Sequence, residues 1–256
     1  MNIRNQLIAA AITHHGKWDD ILQAIETKKL PSEEETEALI SQVKCKTLTI
    51  LDAEYPDYLR HYYKPPIVLF YYGDISLIKD NNKNIAVVGS REPESIALKN
   101  TNKVVSELAN SLGIVSGLAK GIDRQAHESA INAGGKTIAV LGSGIELCYP
   151  SCNNDLYEEI KKNHLLISEY FDHETPGQEN FPHRNRLIAM FATSTLIPYA
   201  KTRSGTSITA NYTIAFGHTL FCMPSSHLED SLCNSLIHDG AILVRSSEDI
   251  LYELNK

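Results

Sequence analysis

The sequence predicts an α/β protein with a doubly wound, mostly parallel sheet and a small helical domain at its N-terminus. Two patterns predict this fold class. From residue 85 onward, short strands that are apolar at every position alternate with helical patterns, as in parallel sheets that helices cover on both faces. Before residue 46, apolar residues recur at helical spacing instead. We therefore divide the chain into a helical domain (1–45), a connector with one strand that enters the sheet (46–84), and a sheet domain (85–256).

The N-terminal region is predicted to form three short helices. Apolar residues at helical spacing in 3–12 and in 21–25 indicate the first two, and Gly16 separates them. Ser32 and Glu35 have the spacing of a capping box, which predicts the start of a third helix. The following connector contains several prolines, and its dense apolar and tyrosine run at 65–72 predicts a strand.

Seven further strands and four further helices are predicted in the sheet domain. The strands are 85–88, 114–116, 137–141, 165–168, 195–197, 219–222 and 241–244, and the helices lie near 95–112, 123–132, 153–162 and 206–216. In such a fold, ligands bind at the carboxyl ends of the strands. Functional residues are therefore expected in the segments that directly follow the strands.

Composition and charge exclude several classes of protein. With 256 residues, 43% of them hydrophobic and 21% charged, the chain has an ordinary globular composition. Its apolar runs are much shorter than the roughly 18 to 20 residues of a membrane-spanning helix, and no signal peptide is visible, so a cytoplasmic protein is expected. Five scattered cysteines favour reduced, buried thiols rather than a disulfide framework or a zinc site.

The net charge of −7 argues against a nucleic-acid partner, but the charges are unevenly distributed. Acidic residues are dense near the N-terminus, whereas residues 180–228 contain none while they include Arg184, Arg186, Lys201 and Arg203. One face of an acidic protein is therefore predicted to be positive.

The first strand of the sheet domain ends in Gly89, Ser90 and Arg91, shortly before a helix. Glycine lets a ligand approach the backbone, the N–H groups of a helix start attract anions, and the arginine adds positive charge. The turn suits a phosphate. It lacks the second and third glycines of a dinucleotide fingerprint, which disfavours bound NAD or FAD. The alternative is that Gly89 only forms a turn and Arg91 is an ordinary surface residue.

Two more glycine turns follow the next strands. Gly117 and Gly121 bracket the second turn, and Gly142 and Gly144 lie in the third. Each turn is as compatible with a structural role as with anion binding, but three on successive strands favour a binding edge. His127, on the helix after the second turn, has no cysteine or second histidine at ligand spacing, so no metal site is predicted.

Two basic segments complete the candidate site. In the first, Phe181 can stack on a base, Asn185 can contact a base edge, and Arg184 and Arg186 can bind phosphates. The alternative is that the two arginines pair with carboxylates in the core. The second segment follows the fifth strand and opens a helix. Ser204, Thr206 and the amides around Gly205 are anion ligands by type, and Lys201 and Arg203 lie on the same loop.

A catalytic apparatus is not evident in the sequence. The second basic segment lacks the spacing of a Walker loop, and the chain has neither a Gly-x-Ser-x-Gly elbow nor a His-Glu-x-x-His motif. No catalytic residue, metal or cofactor is therefore predicted.

These motifs together resemble the DNA-processing protein A family, also called Smf. The matching stretches are Asp-x-x-Tyr-Pro near 52–56, 65–72, Val-Gly-Ser-Arg at 88–91, 116–123 with Ala-His at 126–127, 135–144, Tyr-Pro at 149–150, 166–170, 181–186, 203–205 with Thr-Ala at 209–210, and 236–241. They cover roughly residues 48–250. The chain departs from the family pattern at Tyr199, Ser225 and Ser151.

The resemblance implies an extended Rossmann-like domain that binds single-stranded DNA, forms a homodimer and loads the RecA recombinase onto DNA taken up in natural transformation, with no chemical step. It also implies that residues 1–45 are the small helical domain of many members. The DNA-binding residues it implies are Gly89, Ser90, Arg91, Gly117, Gly121, Phe181, Arg184, Asn185, Arg186, Lys201, Arg203, Ser204 and Gly205.

Two alternative functions remain open beside the DNA-binding one. Lysine-decarboxylase-like phosphoribohydrolases share a related sheet with phosphate-binding glycine turns, and Glu169 or Asp123 could act on a ribosyl bond in such an enzyme. Their Pro-Gly-Gly-x-Gly-Thr signature is absent, and residues 203–206 match it only faintly. A protein that only bridges partners is the second alternative.

Overall fold

The computed structural model describes residues 2–227 and 230–256, which form one nine-stranded sheet covered by helices. The strands are β1 (Lys46–Thr49), β2 (Val68–Gly73), β3 (Asn84–Val87), β4 (Gly113–Ser116), β5 (Thr137–Val140), β6 (Leu165–Ser168), β7 (Ser194–Ile197), β8 (Thr219–Cys222) and β9 (Ile242–Leu243). Their order across the sheet is β1-β2-β6-β5-β4-β3-β7-β8-β9. Strands β3 to β9 run parallel, and β1 and β2 are antiparallel to their neighbours. The predicted doubly wound, mostly parallel α/β sheet is confirmed.

Ten α-helices accompany the strands in the described part of the chain. They are α1 (Ile3–Thr13), α2 (Trp18–Glu26), α3 (Glu33–Ile40), α4 (Ser95–Leu108), α5 (Ile122–Asn132), α6 (Asn154–Asn163), α7 (Asn180–Met190), α8 (Thr206–Ala215), α9 (Leu232–His238) and α10 (Ser247–Leu254). None of these described helices is long and apolar enough to cross a bilayer.

Alternate residues of the parallel strands face opposite layers of helices. In β3, Ala86 belongs to a hydrophobic cluster with residues of α7, α8 and α9. Ile85 and Val87 belong to a second cluster on the other face, with residues of α4, α5 and α10. Because both faces are covered, these strands are apolar at nearly every position, which is why the sequence located all seven to within one or two residues.

The three N-terminal helices form as predicted, including the capping box. The hydroxyl of Ser32 accepts a hydrogen bond from the backbone N–H of Glu35, and the Glu35 carboxylate accepts one from the Ser32 N–H. Leu7 and Ile8 of α1 share a hydrophobic cluster with Phe70 of β2. The helices therefore pack directly on the sheet, and the division at residue 45 stays a prediction.

The structure contains four elements that the sequence analysis did not predict. Strand β1 lies in the region expected to be a connector and pairs with β2 from Lys46↔Tyr71 to Thr49↔Val68. Helices α7, α9 and α10 were also missed. The cysteines are all free, but the expectation that they are buried is wrong for Cys152, which is exposed, and holds fully only for Cys222 and Cys233.

Strands β3 and β7 are neighbours in the sheet although β4, β5 and β6 lie between them in sequence. The chain leaves β3 toward one edge and leaves β7 toward the other, so a crevice opens between the loops that follow these two strands. Hydrogen bonds from Val88 N to Leu196 O (3.1 Å) and from Ser90 N to Tyr199 O (2.9 Å) join the two loops.

Candidate nucleic-acid interface

A cavity of about 510 Å³ lies in this crevice at the carboxyl ends of β3 and β7. Its volume is within the range of small-ligand sites. Ten of the thirteen predicted binding residues line it: Gly89, Ser90, Arg91, Phe181, Arg184, Asn185, Lys201, Arg203, Ser204 and Gly205. The structure thus brings the turn at 89–91 together with two segments, 181–185 and 201–205, that follow about 90 residues or more later in the sequence.

The turn after β3 forms one wall of the cavity and has no room for a side chain at its first position. A Cβ atom on Gly89 would lie 2.6 Å from the carbonyl oxygen of Tyr199 and 2.7 Å from Ile122 Cγ1. Ser90 accepts a hydrogen bond from Ile122 N at its carbonyl oxygen (3.1 Å), which ties the turn to the start of α5. Arg91 is exposed, and its guanidinium carbon lies 5.5 Å from the ring centroid of Phe181.

Helix α7 forms the opposite wall and has two different faces. Phe181, Arg184, Asn185 and Ile188 line the cavity, and their spacing of three, four and seven residues places them on one side of a helix. His183 and Arg186 lie on the other side, against Glu169. The helix therefore connects the cavity to a buried cluster of charges.

Arg184 is buried at the base of the cavity. Its guanidinium donates hydrogen bonds to the carbonyl oxygens of Gly117 (2.8 Å) and Val140 and lies 5.9 Å from the Phe181 ring centroid. Burial lowers the pKa of this guanidinium to about 10, so it stays protonated at neutral pH. A full positive charge thus lies beneath the site.

Asp123 is the acidic group nearest to this charge among the residues that line the cavity. Its carboxylate accepts a hydrogen bond from Gly117 N (3.1 Å). Burial raises the pKa of the carboxyl, and the Arg184 charge and backbone N–H groups oppose that shift. The carboxylate therefore holds the turn after β4 in place.

Arg186 does not lie at the cavity, contrary to the expectation for a DNA-binding residue. Only 1% of it is exposed, and its two terminal nitrogens each donate to one oxygen of Glu169 at 2.6 Å. Its Nε also donates to the carbonyl oxygen of Lys64 (3.1 Å). The alternative interpretation from the sequence, pairing with a distant carboxylate in the core, describes this arginine.

Gly117 and Gly121 also lie behind the cavity wall rather than on its surface. A Cβ on Gly117 would lie within 2.8 Å of the Arg184 guanidinium, so glycine is needed for the arginine to reach the strand ends. Gly121 has a φ of +74°, and a Cβ there would lie 2.3 Å from the Ser90 carbonyl oxygen. Both glycines shape the site without presenting a surface to a ligand.

The loop after β7 contributes the exposed charges. Lys201 and Arg203 are exposed and make no ion pair within 2–227 and 230–256. The hydroxyl of Ser204 is buried and has no hydrogen-bond partner in the same part of the chain. Gly205 precedes α8, which has no acidic residue in its first turn and no side chain bonded to its N-terminus. These groups can all bind an anion.

Four cationic side chains and two carboxylates line the cavity, so its walls are positive although the protein is acidic. The cations are Arg91, Arg184, Lys201 and Arg203, and the carboxylates are Glu92 and Asp123. Such a cavity concentrates anions. Within the described residues, no group of three or more His, Cys, Asp and Glu side chains could hold a metal ion.

Sequence reasoning missed several residues that line the cavity. They are Val88, Glu92, Ala119, Pro182, Ile188, Ile208 and Thr209. Thr209 lies three residues after the predicted ligand Thr206 in α8, so a helical projection of that segment would have placed it on the same side.

Comparison with known proteins decides the family. The sequence model of the DNA recombination-mediator protein A family matches residues 46–255. The chain belongs to this family. The match begins at β1 and includes every residue that lines the cavity. The matched region therefore contains all nine strands, including the antiparallel β1 and β2, and begins after helices α1 to α3.

Individual members of the recombination-mediator family are similar over most of the chain. The DNA processing protein DprA of Streptococcus pneumoniae is 43% identical over 212 residues, which are 82% of this chain and 74% of that protein. DprA of Bacillus subtilis is 36% identical over 81% of this chain and 71% of its own length.

Solved structures of two family members resemble the fold. The X-ray structure of DprA from S. pneumoniae has a TM-score of 0.81 and 37% identity, covering 97% of this chain and 93% of that one. DNA processing protein A from Helicobacter pylori, whose structure concerns its single-stranded DNA binding mode, has a TM-score of 0.74 and 29% identity over 84% of this chain and 97% of its own.

Proposed function

We propose that this protein binds single-stranded DNA as a recombination mediator of natural transformation, protects the incoming strand and loads RecA onto it, without a catalytic step of its own. The observation that carries the proposal is the positive cavity in which an aromatic ring lies beside two guanidinium groups. Arginines and N–H groups bind phosphates, and the ring offers a stacking surface that accepts every base. We further propose that it acts in the cytoplasm as a homodimer.

The contacts of Phe181 support recognition of an unpaired strand. The guanidinium carbons of Arg91 (5.5 Å) and Arg184 (5.9 Å) both lie close to the centroid of its ring. A base stacked on this ring would place its phosphates near both charges. Bases in a duplex are already stacked on one another, so only a single strand can offer a free base face to the ring. The family membership and the single-stranded DNA binding of the H. pylori relative agree with this proposal.

The departure of this chain from the family pattern at Tyr199 is compatible with binding. At the site, the backbone carbonyl of Tyr199 accepts a hydrogen bond from the Ser90 N–H. The Tyr199 side chain packs in the hydrophobic cluster with residues of α4 and α5. A change of side chain at this position leaves the backbone contact in place.

A nucleotide-processing enzyme is less well supported by the same geometry. Of the two carboxylates it could use, Glu169 is buried in the ion pair with Arg186 and does not line the cavity. Asp123 lines the cavity, but its carboxylate is engaged with the N–H of Gly117. Release of base from a nucleoside monophosphate, measured by chromatography, is the outcome that would favour this alternative.

Binding is tested by fluorescence anisotropy of a labelled oligothymidine and of a matched duplex at several salt concentrations. We expect tight binding to the single strand that weakens as salt rises, and much weaker binding to the duplex. Weak or salt-independent binding of the oligothymidine would contradict the proposal. The RecA part is then tested by the rate at which RecA filaments form on oligothymidine coated with single-strand-binding protein, with and without this protein.

Replacing Arg91 with Ala is expected to weaken oligothymidine binding about tenfold and to reduce the slope of log K against log[salt] by about 0.7, the value for one lost phosphate contact on a single strand. Arg91 is exposed and has the Phe181 ring as its contact, so the fold should be unaffected. Lys29→Ala is the matched control, because it removes one exposed positive charge just after α2. An equal loss of affinity in both variants would indicate a general charge effect rather than a site.

A further inference from the structure

The loops after β7, β3, β4 and β5 lie side by side along the carboxyl edge of the sheet, since these strands are consecutive neighbours there. The cavity occupies the part of this edge nearest β7 and β3. Phe181 lies over the end of β5, because a Cβ on Gly142 would be 2.7 Å from the Cδ1 atom of the Phe181 ring. The edge therefore continues beyond the cavity toward the loop that follows β5.

The next aromatic ring along this edge is Tyr149, in the loop between β5 and α6. Its ring centroid is 5.7 Å from that of Phe181, with an angle of 39° between the planes. Tyr149 is 47% exposed, and its hydroxyl makes no hydrogen bond in the part of the chain that the structure describes. Much of a large amphipathic ring is thus accessible directly beside the candidate site.

The loop that carries Tyr149 is fixed by hydrogen bonds on both sides of the tyrosine. On its N-terminal side, Gly144 N donates to Glu174 O (2.8 Å) and Ile145 N donates to Tyr170 O (3.0 Å). On its C-terminal side, Asn153 N donates to Pro150 O (3.0 Å), and the Asn153 side chain donates to Leu118 O (2.8 Å). A ring on so constrained a loop loses little conformational entropy when a ligand binds.

We propose that Tyr149 is a second stacking platform, which binds the base next to the one on Phe181. This inference rests on the proposed binding of single-stranded DNA and extends the binding surface beyond the cavity by one nucleotide. Asp155, at the start of the following helix, is paired with Arg124 at 2.7 Å, so its charge is partly neutralised where the strand would leave the site.

The separation of the two rings also favours an unpaired strand. Bases in a duplex follow one another at about 3.4 Å along each strand, whereas the two rings are 5.7 Å apart and tilted. One base can lie on each ring only if the strand is stretched and its own stacking is broken. The pair of rings thus selects against a duplex by geometry alone.

The test uses oligothymidines that carry the fluorescent base 2-aminopurine at one position at a time, mixed with wild-type protein, Tyr149→Ala and Tyr149→Phe. Stacking on an aromatic ring quenches this fluorophore. We expect wild type and Tyr149→Phe to quench two adjacent positions, and Tyr149→Ala to lose the quenching at one of them. We also expect Tyr149→Ala to weaken binding about fivefold or more, as base–aromatic stacking contributes about 1 to 3 kcal/mol.

Tyr63→Ala is the matched control, because this tyrosine is 71% exposed in the connector between β1 and β2. Should Tyr149→Ala have a lower thermal midpoint, Tyr149→Leu retains an apolar contact with Phe181 while it removes the aromatic plane. Unchanged quenching and affinity in the Ala and Leu variants, with normal binding by wild type, would overturn the second platform alone. Absence of binding by wild type would overturn the proposed function and this inference together.

Discussion

Replacing Arg186 with Ala is expected to lower the free energy of unfolding by about 3 to 5 kcal/mol, the usual effect of removing one partner from a buried ion pair. The expected loss of stability comes from the negative charge that remains on Glu169. Glu169 is 5% exposed and receives two 2.6 Å hydrogen bonds from Arg186. Without them the carboxylate stays buried and uncompensated. Urea unfolding at neutral pH, followed by circular dichroism, measures the change.

Two further variants distinguish the effect of breaking the ion pair from the general effect of losing an arginine. Arg60→Ala breaks a contact of 3.5 Å with Asp57, in which the carboxylate is 88% exposed, and exposed pairs contribute about 1 kcal/mol or less. The double variant Arg186→Met with Glu169→Met removes both charges and is expected to be more stable than Arg186→Ala. A loss below about 1 kcal/mol in Arg186→Ala would show that the pair does not hold α7.

The second large effect is a loss of stability in mild acid that depends on His127. This side chain is fully buried, and burial lowers its pKa to about 3. The hydroxyl of Thr137 donates to the carbonyl oxygen of Ile114 (2.8 Å), so at 2.7 Å it accepts the proton of His127 Nδ1. Nε2 is then the unprotonated nitrogen, and it has no partner in the described part of the chain.

The sign of the pH effect follows from these two states. An unfolded histidine binds a proton below pH 6.5, whereas the native one does so only near pH 3. The unfolded state therefore binds more protons between these values, and stability falls as the pH decreases through this window. From pH 7.5 to pH 5 the loss due to this group amounts to about 2 kcal/mol.

His127→Asn isolates this contribution, because the amide can keep the bond to Thr137 but does not titrate. We expect the variant to lose about 2 kcal/mol less than wild type between pH 7.5 and pH 5, whatever its stability at pH 7.5. His61→Asn serves as the control, since the His61 side chain is 77% exposed. If all three proteins show the same pH dependence of the urea midpoint, the native His127 is not held in its neutral form.

The parallel strands could be predicted from the sequence because the apolar pattern of each strand depends only on its own residues. Apart from β9, each is buried on both faces, so most of its residues are apolar and each run is visible without knowledge of its neighbours. Strand β1 has no such pattern, since its residues range from exposed Lys46 to buried Thr49. Its pairing with β2 depends on residues about twenty positions further on.

Helix α7 explains why sequence reasoning did not separate Arg186 from Arg184. The run Leu187 to Met190 is apolar at consecutive positions because that half of the helix is buried all round, so no 3.6-residue period is visible. Without the helix, Arg184 and Arg186 look equivalent. In a helix, residues two positions apart lie on opposite sides, so Arg184 faces the cavity and Arg186 faces Glu169.

The position of the cavity between β3 and β7 also bears on the order in which the protein matures. The residues that line the cavity range from Val88 to Thr209. Strand β3 pairs with β7, and more than a hundred residues separate the two strands in the sequence. Contacts this distant in sequence form slowly, and a chain is synthesised from its N-terminus. The ribosome must therefore release most of the sheet domain before the cavity between β3 and β7 can form.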